Sequence, residues 1–146
     1  MNRIVHRRFS RRGTTVVEMA VMAPLLVMAM LGMFEVGYAF MVKQTVTLAA
    51  REGARAAALP GGNLEDVNAA VDASMGAARL SGYTTTSNIQ ECGPNDLETW
   101  VQVSIPFERA SFTGGLLGGG SFQITAKTTM RREGLEQEGG QGVDPP

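Results

Sequence analysis

Apolar positions are spread unevenly along the chain. From Thr14 to Val42 they run almost without a break (TTVVEMAVMAPLLVMAMLGMFEVGYAFMV). Glu18 and Glu35 are the only charges in this run, and Met19–Phe34 carries none. As a helix rising about 1.5 Å per residue the run spans roughly 43 Å, more than a hydrocarbon core of about 30 Å. Its apolar residues lie on all sides rather than along one stripe, which predicts a membrane span, not the surface helix of a soluble domain. Pro24 is tolerated in such a helix as a kink. The helical pattern continues through QTVTLAAREGARAAAL and stops at Pro60-Gly61-Gly62.

Beyond that turn the spacing changes. Leu64, Val67, Val71, Met75 and Ala78 form a stripe at helical spacing, predicting a helix from Leu64 to about Leu80. Asn63 suits its N-cap, Asp66 can close a capping box, and Ser81-Gly82 ends it. After Gly82 the period falls to two. Strands are predicted over Tyr83–Gln90, Trp100–Phe107 and Ser121–Arg131, with a turn at Glu91–Glu98 and a Gly-rich loop at Ala110–Gly120. The fold class expected is α+β: a long N-terminal transmembrane helix, then a small extracytoplasmic domain of one helix and about three antiparallel strands. Its expected core is Val67, Val71, Val101, Val103, Ile105, Phe122 and Ile124. The organisation reads as a basic leader (1–13), a transmembrane and juxtamembrane helix (14–59), the small domain (60–131) and a Gly- and acid-rich disordered tail (132–146).

Charge sets the orientation. The chain has 13 basic and 14 acidic side chains. Arg3, Arg7, Arg8, Arg11 and Arg12 all precede the apolar run, so the remainder is strongly acidic. The positive-inside rule places the N-terminus in the cytoplasm and residues from about 43 onward outside. The basic arm abuts an apolar helix, so it reads as a membrane flank rather than a nucleic-acid arm. The apolar run exceeds the 7–15 residues of an ordinary signal peptide and has no cleavage site after it. Cleavage on its N-terminal side, between arm and helix, remains open.

Composition removes most chemistry. One Cys (Cys92) and one His (His6) exclude an intrachain disulfide framework, a Cys-cluster zinc site and a Ser-His-Asp triad. The GGLLGGG stretch has no following Lys-Ser/Thr and joins two predicted strands, so it lacks the context of a phosphate-binding loop. No enzyme, metal or cofactor is expected.

Two features need explaining. Glu18 is an acid near the start of a spanning helix, where the helix dipole and snorkelling lower its cost. If the chain is cut after Gly13, Thr14 becomes a new amine one turn from Glu18, and the two can pair within or between subunits. The second is the small-residue face Ala50, Gly53, Ala54 and Ala57, which would let another helix approach closely. Ala alone would reflect helix propensity. Gly53 weakens a helix unless it serves packing.

The segment Arg11-Arg12-Gly13-Thr14-Thr15-Val16-Val17-Glu18-Met19-Ala20, followed by Pro24 and by Ala49-Ala50-Arg51-Glu52-Gly53-Ala54-Arg55-Ala56-Ala57, resembles TadE-like proteins, minor pseudopilins of the tight-adherence (Flp pilus) system. The resemblance covers about residues 10–59. It implies a prepilin peptidase cutting between Gly13 and Thr14, a role for Glu18 in processing or assembly, and partnership with other pseudopilins and the pilus assembly machinery at the bacterial inner membrane. Two residues depart from the pilin pattern. Met19 follows Glu18 where Flp pilins usually carry Tyr, and Thr14 would open the mature chain where an aromatic or apolar residue is usual. The competing reading is an uncleaved, signal-anchored extracytoplasmic binding module.

Overall fold

In the computed structural model, which describes residues 12–93, 96–112, 114 and 122–133, the chain opens with one helix, α1 (Arg12–Ala58), unbroken across Pro24. The basic arm up to Arg11, most of the Gly-rich loop and the tail from residue 134 lie outside the described residues. The turn after α1 is tight: Gly61 has φ +79°, and a Cβ on Gly62 would lie 2.4 Å from the Ala56 carbonyl oxygen. Only glycine fits both demands. The turn folds α2 (Leu64–Ala77) back against α1. The Asn63–Asp66 capping box is present, each side chain accepting from the other residue's backbone N–H at 2.9 and 3.3 Å.

α2 stops three residues short of the expected Leu80. Leu80 N–H donates to the Met75 carbonyl and Arg79 N–H to that of Gly76, while Arg79 takes φ +54°. This is a Schellman cap with arginine where glycine is usual, and Leu80 is buried behind it.

Three antiparallel strands follow in the order β1 (Thr84–Ser87), β2 (Glu98–Pro106) and β3 (Gln123–Arg131). β2 is central, pairing Thr84↔Ser104 on one side and Ile105↔Ile124 on the other. β1 ends at Ser87 rather than Gln90 because Asn88 takes over the pairing. Its Oδ1 accepts from Trp100 N–H (2.8 Å) and from the Thr99 hydroxyl (3.1 Å), and its carbonyl accepts from Glu91 and Cys92 N–H. β2 starts at Glu98, two residues before the expected Trp100, because β3 reaches Arg131 to pair with it.

β2 alternates cleanly, with Thr99, Val101, Val103 and Ile105 buried. Val101, Val103 and Ile105 meet Val67, Val71 and Met75 of α2, Ile124 and Ala126 of β3, and Val42, Val46, Ala49, Ala50, Ala54 and Ala57 of α1 in one core. Phe122, expected in this core, is instead 64% exposed. It has the same parity as Ile124 but lies one residue before β3 begins, beyond the end of the packed sheet.

Candidate functional site

α1 divides by environment near Glu35. Before it, the large apolar side chains face outward: Val17, Val21, Leu25, Leu26, Met28 and Met33 are all exposed. Residues 13–34 span roughly 33 Å at about 1.5 Å per residue, close to one hydrocarbon thickness. After Glu35, buried positions recur at Val42, Val46, Ala49/Ala50, Gly53/Ala54 and Ala57. Their spacing of three and four draws a stripe against α2, β2 and β3.

Gly53 lies at the tightest crossing. A Cβ there would stand 2.8 Å from Val71 Cγ2 and 3.2 Å from Val101 Cγ1. Valine is stiff at χ1, so neither methyl yields cheaply. The small-residue face Ala50, Gly53, Ala54 and Ala57 is therefore filled by elements of the same chain.

Gly13 and Thr14 occupy the first turn of α1 and are exposed. Nothing lies within 4 Å of a Cβ built on Gly13. Helix ends fray, so only one turn must unwind to present an extended 13–14 bond. Glu18 is exposed one turn after Thr14. Glu35 differs: it is 7% exposed and lines a groove of about 520 Å³ with Phe40, Lys43, Phe107 and Phe122. Lys43 Nζ donates to the Thr125 carbonyl, fixing α1 to β3 at this level.

The opposite end of the domain is closed by main-chain ties. Glu133 N–H donates to the Ala58 carbonyl, Arg132 N–H to that of Leu97, and Arg132 Nη1 to that of Gly93. Cys92 Sγ lies 3.6 Å from the Glu98 carbonyl oxygen. Tyr83 OH donates to Asp72 Oδ1 at 2.7 Å, tying β1 to α2, and this bond to a carboxylate pushes the phenol up to about 12.

Residues 13–55 match the family model described as TadE-like protein. The match covers this segment alone, under a third of the chain. The match begins at the candidate cleavage residue and ends within the small-residue face, so it covers both the exposed and the docked parts of α1. The matched helix is long and apolar enough to cross a membrane once. No curated protein and no solved structure matches the chain.

In the sequence Val42 closes the apolar run and Val46 lies just beyond it, yet both are core residues. Their signal was the polar residues beginning opposite them at Lys43 and Gln44, which turn a uniformly apolar helix into an amphipathic one.

Proposed function

We propose that the chain is a minor pseudopilin-like subunit, without enzymatic activity, that assists assembly or secretion of Flp-type pili. The observation that carries this reading is the coincidence of the TadE-like match with a helix that is apolar and exposed in its first half and built into a domain in its second. Such a helix anchors a soluble head to a membrane and can move with it as one body. The arginine arm stands in the cytoplasm and the head outside. A prepilin peptidase cuts between Gly13 and Thr14, removing the arm that holds the helix start at the cytoplasmic face. Glu18 then lies one turn from the new amine, where it serves assembly with other pseudopilins or the cut itself.

Deleting the gene in its host is expected to abolish surface Flp pili, with rescue by the wild-type chain and not by Gly13→Leu. Unchanged piliation in the deletion strain would overturn the role. The intact mass of membrane-extracted protein tests processing separately. Loss of residues 1–13 is expected, and their retention returns the signal-anchored reading.

A further inference from the structure

The end of the domain nearest the exposed half of α1 is crowded with aromatic side chains. Phe112 lies 6.5 Å from Phe34 and 6.4 Å from Tyr38 by ring centroids, and Phe122 lies 6.1 Å from Phe107. Phe112 and Phe122 are 65% and 64% exposed, and Phe34 and Phe40 are also open. They flank α1 on two sides. Phe112 closes a groove with Met30, Met33 and Met41, and Phe122 closes the groove that holds Glu35 and Phe40. Exposed apolar side chains of this size on the head of a polar domain call for a partner.

We infer that this end of the domain rests on the bilayer that α1 crosses, with Phe112 and Phe122 seated in the lipid interface on either side of the helix. The occupant follows from position. Residues 13–34 use up one hydrocarbon thickness, so Phe34–Met41 falls at the headgroup level, where aromatic side chains gather. The exposed apolar surface is continuous with the spanning half: Met33, Phe34, Val36, Phe40 and Met41 remain open, and exposure turns polar only at Lys43 and Gln44. The acid at this level, Glu35, is turned into the protein. The sequence from Ala110 to Ala126, which holds both phenylalanines, has no charged residue. Lys43 and Arg109 supply cations nearby, suited to anionic headgroups, and Glu108 an acid. The head is thereby held upright by three points, the helix and two aromatic anchors, rather than swinging on one stalk.

The inference rests on α1 crossing the bilayer and is independent of the pilus role. It is tested with the full chain in vesicles of phosphatidylethanolamine and phosphatidylglycerol. In a Cys92→Ser background, spin labels are placed singly at Phe112→Cys, Phe122→Cys, Leu26→Cys in the span and Gln90→Cys at the far end of the sheet. Labels at 112 and 122 are expected to be severalfold less accessible to a water-soluble nickel chelate than the label at 90, while staying accessible to oxygen. Chelate access equal to that at 90, with 26 still shielded, overturns the inference and leaves the span intact. Shielding from both reagents with spin–spin broadening between molecules means a second copy covers the patch, and also overturns it. A water-accessible label at 26 removes the span, and the inference with it.

Discussion

Residues 13–34 and 35–58 of α1 share one unbroken helix and are both mostly apolar, yet one half touches almost nothing and the other supplies about a third of a protein core. The first half carries Val, Leu and Met on every side and has no small-residue face. From Val42 onward the second half buries a stripe of apolar residues and shrinks them to Ala and Gly where α2 and β2 cross. Lipid chains fit any surface, so a span needs only hydropathy, whereas a packed interface needs matched shapes. Hydropathy thus marks where a helix can meet lipid, and side-chain size marks where it meets protein.

The strongest way to break this contrast is to separate the halves. A fragment of residues 60–131 lacks the six α1 residues of the core and is expected to show unfolded amide shifts, whereas 35–133 keeps them and is expected to fold. A folded 60–131 fragment would mean that α1 is only a tether.

Single charges come next. Val46 is fully buried, so Val46→Asp places an unpaired carboxylate in the core and is expected to cost about 4 kcal/mol or more, seen as loss of protease resistance. Val27→Asp leaves the head folded and instead costs about 2.5–3.5 kcal/mol of membrane insertion, seen as less protein in the membrane fraction.

Glycines give a finer comparison. Gly53→Ala meets the Val71 and Val101 methyls. Overpacking of about 1–3 kcal/mol outweighs a helix-propensity gain of about 1 kcal/mol, so a lower denaturation midpoint is expected. Gly32→Ala meets nothing within 4 Å and keeps the propensity gain alone. Equal effects at the two positions would erase the distinction between the halves.

The smallest effects lie in the head. Arg79→Gly relieves a left-handed arginine and is expected to stabilise by about 1 kcal/mol in denaturant titrations. Tyr83→Phe loses the bond to Asp72 and destabilises by about 1 kcal/mol or less. Because folding raises the Tyr83 phenol from 10.0 to about 12, its contribution is complete below pH 10 and is lost as pH rises towards 12. Wild type and Tyr83→Phe should therefore converge in stability over that range.

Much of this arrangement was legible in the sequence because each element carried a local signature: the long apolar run, the Asn63–Asp66 cap, and the alternation of Val101, Val103 and Ile105. The misplaced boundaries share a non-local cause. β1 was cut short by an Asn88 side chain reaching Trp100, and β2 was lengthened by Arg131 across the sheet. The α2 stop used an arginine in a glycine conformation, which no residue pattern announces. Phe122 had core parity without core depth. At the candidate site, Ala50, Gly53, Ala54 and Ala57 were found by size alone, but their partners within the same chain depended on the tight turn that returns α2. Glu35 gave no sign of burial, because the groove that covers it is closed by Phe107 and Phe122 from far along the chain.

The division of α1 is tested most directly by a cysteine scan along residues 16–56 in a Cys92→Ser background. The full chain is held in intact membranes and treated with a membrane-impermeant maleimide. From 16 to 34 every position is expected to be unreactive, because lipid surrounds the helix. From 43 to 56 reactivity is expected to follow the stripe, with Lys43, Gln44, Leu48, Arg51 and Arg55 modified and Val46, Ala50, Gly53 and Ala54 protected until denaturant is added. Uniform reactivity beyond residue 43, or modification between Val21 and Met30 in undisturbed membranes, would contradict the account.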